Sequence, residues 1–200
     1  MKTGIMGGTF NPIHFGHLLM AQAALDEYAL DRILFIPTGL QWMKKDDPDL
    51  TDGMIRYEMT EAAIKDNPAF KVSDIEIKRP GNTYTYETME ELNRVMPDNE
   101  WYYIVGADTL LKMPNWRQPQ KVFDCAVILC ALRGDADMQS LAEFAGRLKT
   151  EFKADIRFLK MPRIEISSTD IRNRVRDGRS LRYMLPENVR EYILQKNLYR

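Results

Sequence analysis

Histidine and cysteine are scarce in this chain, with two of each in 200 residues. Cys125 and Cys130 close the two ends of one apolar run, Cys125-Ala-Val-Ile-Leu-Cys130, without C-x-x-C spacing. The chain lacks the histidines and cysteines that a zinc site needs, so no protein-held metal is expected and the cysteines read as free thiols buried in a strand. No run of about 18 apolar residues is available to cross a bilayer. Lys2 leads straight into a glycine-punctuated strand rather than a signal-peptide core, so a soluble, cytoplasmic chain with no membrane contact is expected. Net charge is also nearly absent, at −1 from 28 Lys and Arg against 29 Asp and Glu, which speaks against coating nucleic acid. The length suits one α/β domain over residues 1–200 with a sizeable core.

Apolar strands and amphipathic helices alternate along the sequence. Strands are expected over 2–7, 33–36, 70–77, 101–105, 126–132 and 155–159. Helices are expected over 16–28, from Thr51 or Asp52 to Pro68, and over 83–96, 138–149, 167–176 and 186–198. In the first helix, Leu18, Ala21, Leu25 and Tyr28 form the candidate buried face. This alternation predicts a doubly wound parallel sheet covered on both faces, with a small C-terminal helical segment. Such sheets take ligands at the carboxyl ends of their strands. Gly7-Gly8, Pro37-Thr38 and Gly106-Ala107-Asp108 all follow strands and are expected to line one crevice.

Both histidines fall in the first 17 residues, in Gly7-Gly8-Thr9-Phe10-Asn11-Pro12-Ile13-His14-Phe15-Gly16-His17. A strand runs into a glycine pair, a turn, and then a helix with two imidazoles at its start. Glycine lets backbone N–H groups approach an anion closely, and a helix N-terminus adds donors and partial positive charge. The spacing is neither that of a Walker loop nor that of a dinucleotide fingerprint. A second cradle lies far downstream in Ile164-Glu-Ile-Ser-Ser-Thr-Asp-Ile-Arg172. Ser167 or Ser168 caps a helix, and Thr169 and Arg172 add a hydroxyl and a guanidinium fork suited to phosphate oxygens. Two anion cradles suit a triphosphate clamp. Arg172, Arg176 and Arg179 recur at near-helical spacing and, beyond Arg172, read as a solvated basic face.

These residues carry a resemblance. The first run is similar to the G-x-F-x-P-x-H-x-G-H signature, and the second to the I-S-S-T-x-I-R motif, of the nucleotidyltransferase superfamily, with its Rossmann-like fold. Over its whole length the chain resembles bacterial-type nicotinate-nucleotide adenylyltransferases. The matching segments are Pro37-Thr38-Gly39 followed by Lys44, Arg79-Pro-Gly-Asn-Thr-Tyr-Thr85, Gly106-Ala107-Asp108 with Trp116, and Pro186-Glu-Asn-Val-Arg-Glu-Tyr-Ile193. The chain departs from the pattern at Asn11, where Asp is common, at Thr83, where Ser is usual, and at Gln41-Trp42-Met43, where the family often has Pro-Pro-His.

The resemblance implies a single nucleotidyltransferase domain that transfers an adenylyl group from ATP, carried with Mg²⁺, to nicotinate mononucleotide. It implies that His14, His17 and Arg172 are catalytic. ATP would be held by Gly7, Gly8, Thr9, Phe10, His14, His17, Ser167, Ser168, Thr169 and Arg172. The mononucleotide would be held by Thr9, Phe10, Lys44, Thr85, Gly106, Asp108 and Trp116. Other acceptors (nicotinamide mononucleotide, phosphopantetheine), a nucleotide-sensing module without catalysis, and a homo-oligomer stay open at this stage.

Overall fold

The computed structural model describes residues 1–40, 48–132, 138–162 and 164–200. Its centre is a six-stranded sheet in the order β3-β2-β1-β4-β5-β6. The strands are β1 (Lys2–Gly8), β2 (Arg32–Pro37), β3 (Phe70–Val72), β4 (Glu100–Gly106), β5 (Ala126–Leu132) and β6 (Ile156–Lys160). β1 pairs in parallel with β4 from Lys2 opposite Glu100 to Ile5 opposite Tyr103. β4 with β5 and β5 with β6 are parallel too. Strands are added from β1 through β2 to β3 on one side, and from β4 outward on the other. That reversal defines a doubly wound α/β fold. The central strands lack alternation because both faces are covered: Ile5, Ile104, Val105, Ile128 and Leu129 are all buried.

Eight α-helices connect and flank the strands among the described residues: α1 (Phe15–Glu27), α2 (Gly53–Ile64), α3 (Thr85–Val95), α4 (Ala107–Leu110), α5 (Pro119–Cys125), α6 (Met138–Phe152), α7 (Ser168–Arg176) and α8 (Glu187–Gln195). α2 starts where Asp52 accepts a hydrogen bond from the Met54 N–H at 2.8 Å, the ordinary way of satisfying an orphan donor in the first turn. α3 buries Tyr86, Met89 and Leu92, one side chain per turn.

Several elements depart from expectation. The strand expected over 70–77 stops at Val72. Ser73 still donates to Phe35 O at 2.9 Å, but the Lys78 N–H then turns back to Asp74 O, also 2.9 Å, and Lys78 pairs with the Asp74 carboxylate at 2.7 Å. The Ser73 hydroxyl also accepts from Ile75 N at 3.3 Å, a local side-chain bond that takes a backbone donor from the ladder. The buried stripe of α1 is Met20, Ala21 and Ala24, shifted from the expected face. Cys125 ends α5 rather than lying in a strand and is only half-buried, whereas Cys130 sits inside β5, where burial pushes its thiol up to about 12. Pro186 stands at the cap of α8, one step before the first helical residue. α4 and α5 have no counterpart in the sequence reading.

The residues group into two compact units. One comprises Met1–Met6, Met20–Ile33 and Tyr84–Ile164; the other comprises Gly7–Leu19, Leu34–Thr83 and Glu165–Arg200. The loop Gly7–His17 and the segment Glu165–Arg172 therefore both belong to the second unit, although most of the chain separates them.

Candidate active site

The loop after β1 is pinned from inside. Phe10 is fully buried and sits at a φ of +48°, a left-handed conformation that is strained for a bulky aromatic and that clusters at functional sites. Its ring meets His17 edge-on at 5.0 Å and tilts against Phe35 at 5.9 Å. The backbone at Gly8 passes so close that a Cβ there would stand 2.8 Å from the Phe10 ring. Glycine at position 8 is thus a steric requirement as well as a means of exposing backbone.

The two histidines form one unit. Their rings stack at 3.8 Å between centroids, and the His14 N–H donates to Nδ1 of His17 at 3.3 Å. With Nδ1 assigned as the acceptor in this contact, the hydrogen of a neutral ring falls on Nε2, which makes Nε2–H of His17 a candidate donor. His14 is 6% exposed. The first N–H of α1, that of Phe15, is taken by Met184 O at 3.1 Å, so the helix start is less open than the sequence suggested. A Cβ on Gly16 would stand 3.0 Å from both Cε1 and Nδ1 of His14, which explains the glycine between the histidines. Gly16→Ala is therefore expected to lower kcat about tenfold by shifting the His14 ring, while Tm holds or rises because alanine favours a helix. Parallel kcat and Tm measurements check this, and an unchanged kcat would contradict it.

α7 is stitched to this loop. The Ser167 side chain caps the helix by accepting from Asp170 N at 3.1 Å. The Ser168 hydroxyl donates to Pro12 O at 2.8 Å, and Arg172 Nη1 donates to Asn11 O at 3.0 Å. Arg172 Nη2 reaches Thr169 Oγ1 at 3.5 Å. Ser168 and Arg172 thus brace consecutive carbonyls of the histidine loop, while Ser167 and Thr169 stay exposed. The neighbouring arginines are not simply solvated. Arg174 pairs with Asp170 at 3.1 Å, Arg179 pairs with Asp177 at 2.8 Å, and Arg176 pairs with Asp49.

Three residues absent from the sequence reading hold the loop in place. Arg56 on α2 is 2% exposed. Its guanidinium donates to Thr9 O at 2.7 Å, Thr38 O at 2.7 Å and Thr51 O at 2.9 Å. Thr38 N in turn donates to Gly8 O at 2.9 Å. Asn11 accepts at Oδ1 from Tyr199 Oη at 3.0 Å and from Thr51 N at 3.3 Å, and donates from Nδ2 to Asp49 O at 2.8 Å. An aspartate at position 11 would set a carboxylate oxygen against that carbonyl, so the amide suits this chain. Burial pushes the Tyr199 phenol up to about 12, which keeps it a neutral donor across physiological pH. A signal for Arg56 did exist: an arginine on the same helical face as buried Met59, Thr60 and Ile64 asks for internal partners.

The segment before residue 41 is also fixed. A Cβ on Gly39 would stand 2.2 Å from Glu76 O, and Thr83 N donates to Leu40 O at 3.0 Å. Lys44 and the Gln41-Trp42-Met43 departure lie outside the described residues.

The remaining candidates belong to the first unit. Gly106 ends β4 and caps α4, with Asp108 exposed in that helix's first turn. Trp116 is half-buried with its ring edge-on to Tyr103 at 6.1 Å. Thr85 is the first residue of α3. The Arg117 guanidinium covers the Tyr84 ring at 4.7 Å, which brings the chain next to Trp116 up to the chain next to Thr85. Among the described residues, no group of three or more His, Cys, Asp or Glu is arranged to hold a metal ion, and no helix is long and apolar enough to cross a membrane. The donors gathered in the second unit are N–H, hydroxyl and guanidinium groups, which suit an anion rather than a cation.

Comparison with known proteins gives the chain a family. The Cytidylyltransferase-like family model matches residues 5–174. A protein of Lachnoclostridium phytofermentans named "Probable nicotinate-nucleotide adenylyltransferase" is 45% identical over 198 residues, covering 99% of this chain and 98% of that protein. A protein of Desulfitobacterium hafniense with the same name is 42% identical, covering 100% of this chain and 96% of its own length. The solved structure of Plasmodium falciparum nicotinic acid mononucleotide adenylyltransferase complexed with NaAD aligns with a TM-score of 0.79 at 19% identity, over 99% of this chain and 97% of that one. At that identity the likeness concerns the fold.

Proposed function

We propose that this chain, which belongs to the nicotinate-nucleotide adenylyltransferase family, transfers the adenylyl group of ATP to nicotinate mononucleotide, giving deamido-NAD and pyrophosphate in NAD biosynthesis. The observation that carries the reading is the stitching of the two anion cradles, Ser168 onto Pro12 O and Arg172 onto Asn11 O. It sets two motifs that are remote in sequence side by side, which supports reading them as one donor-lined site.

A phosphate oxygen of the mononucleotide bonds to the α-phosphorus of ATP as the bond from that phosphorus to the β-bridging oxygen breaks. The nucleophile is already an anion, so no proton need be removed and no deep general base is needed. Catalysis then comes from positioning and from stabilising charge. His17, through Nε2–H, and His14 would donate to the phosphates around the reacting centre. Gly7, Gly8, Thr9 and Phe10 supply the backbone against which they lie, and Thr9 and Phe10 also guide the incoming phosphate. Arg172, with Ser167, Ser168 and Thr169, would hold the β- and γ-phosphates. Mg²⁺ enters with ATP as part of the substrate. Lys44 would neutralise phosphate charge. On the acceptor side, Gly106 and Asp108 would take the ribose, and Thr85 and Trp116 the nicotinate ring. The substrates are small nucleotides of the cytoplasm rather than nucleic acid or membrane.

The test is pyrophosphate release from Mg-ATP with nicotinate mononucleotide, beside nicotinamide mononucleotide and phosphopantetheine. Turnover is expected to be fastest with the nicotinate substrate. Turnover with phosphopantetheine alone would overturn the acceptor, and release from none of them would overturn the reaction.

A further inference from the structure

Asp49 stands where an anion is expected. One carboxylate oxygen pairs with Arg176, and the other lies 3.7 Å from Nε of Arg172. The backbone carbonyl of Asp49 accepts from Asn11, which holds the residue beside the loop it faces. Arg176 keeps Asp49 below the usual carboxylate range, so the group is ionised at neutral pH.

The Arg172 fork is only partly used. Nη1 is engaged by Asn11 O, and Nη2 grazes Thr169 Oγ1 at 3.5 Å. Nε is buried and has no hydrogen-bond partner among the described residues, because 3.7 Å is beyond hydrogen-bonding reach. The Arg172 side chain is 12% exposed, whereas that of Asp49 is 33% exposed. A partly buried guanidinium, with its Nε fully covered, thus faces a solvent-accessible carboxylate that balances its charge without completing its bonds. Such a contact is readily exchanged. An oxygen anion that approached to about 2.8 Å would make the charge-assisted bond that the carboxylate leaves unmade.

We infer that Asp49 is an internal stand-in for the β,γ-phosphates: it occupies the Arg172–Arg176 pair in the empty enzyme, is displaced when the triphosphate binds, and returns to help expel pyrophosphate. The inference rests on the assignment of Arg172 to those phosphates. Asp49 then lowers affinity for both ATP and pyrophosphate, in exchange for a neutralised site between turnovers and faster product release. This sets Asp49 apart from a carboxylate that merely orients Arg172, whose loss would weaken phosphate binding.

Calorimetric titration of the full chain with Mg-pyrophosphate tests it, using Asp49→Asn and Arg172→Gln. Asn is isosteric and keeps the backbone carbonyl that accepts from Asn11. Asp49→Asn is expected to bind pyrophosphate about three- to tenfold more tightly, since a like charge is removed beside a multiply charged ligand. The KM for ATP is expected to fall in the same sense, without a matching change in the KM for nicotinate mononucleotide. Arg172→Gln is expected to bind pyrophosphate roughly tenfold or more weakly. Unchanged or weaker binding by Asp49→Asn, with Arg172→Gln still weakened, overturns the stand-in role alone. Unchanged binding by Arg172→Gln overturns the phosphate assignment, and the stand-in role falls with it.

Discussion

His14→Ala lowers kcat for adenylyl transfer by about two to three orders of magnitude, the usual cost of removing one preorganised donor to developing transition-state charge. The size of the effect follows from how little freedom the ring has. It is buried, stacked on His17 at 3.8 Å and pressed against Gly16, so its geometry is set before substrate arrives and no reorganisation is needed at the moment of reaction. The loss is expected mainly in kcat rather than in the KM for ATP, because a group that acts on charge developing in the transition state contributes less to ground-state binding. Steady-state kinetics beside a circular dichroism spectrum checks this. A folded His14→Ala protein with near-normal turnover would remove His14 from the chemistry.

Arg56→Leu is the second large effect. The substitution deletes a buried cation and leaves the carbonyls of Thr9, Thr38 and Thr51 without their donors. Each orphaned group costs about 1–3 kcal/mol. Partial relaxation and rehydration of the loop bring the total to roughly 3–5 kcal/mol. For a chain of this length that is a fall in Tm of roughly 6–20 °C. Activity falls further than stability alone explains, because Thr9 belongs to the loop that presents backbone to phosphate. Arg56→Lys keeps the charge but offers no planar fork and cannot span all three carbonyls, so it recovers stability only in part. Thermal denaturation and kcat on the folded fraction check both halves. An Arg56→Leu protein with unchanged Tm and kcat would show that the loop is held by other means.

The contrast between these two residues shows what was legible in the sequence. His14 was visible because the chemistry of its segment is local: glycine spacing, a helix start, and both histidines in one short run. The α7 cap was visible for the same reason, since Ser167 and Asp170 meet within one turn. β4 and β5 were visible as continuous apolar runs, which is what burial on both faces requires. Asp49 and Tyr199 were not visible, because each acts on a partner remote in sequence; Arg56 left a signal as an arginine on an apolar helix face, but its partners are backbone carbonyls, which carry no residue identity. Arg176 was misread for a related reason: its partner Asp49 lies on a different segment, and helical spacing alone shows a basic face. The over-long strand at 70–77 failed where local bonds, Ile75 N to Ser73 Oγ and Lys78 N to Asp74 O, replace the ladder, and α5 was missed because a helix of one or two turns leaves too short a periodic signal.

The stereochemical course of the reaction at phosphorus tests most directly whether the cradle only holds the reactants and stabilises charge, without bonding to the adenylyl group. With ATP carrying a single sulfur diastereomer at the α-phosphate and nicotinate mononucleotide as acceptor, one direct in-line displacement inverts the configuration in the dinucleotide product, and inversion is the predicted result. Retention would require two displacements, and hence an adenylyl group carried covalently on the enzyme. That result would make a histidine of the Gly8–His17 loop a nucleophile rather than a donor and would contradict the mechanism built on this geometry.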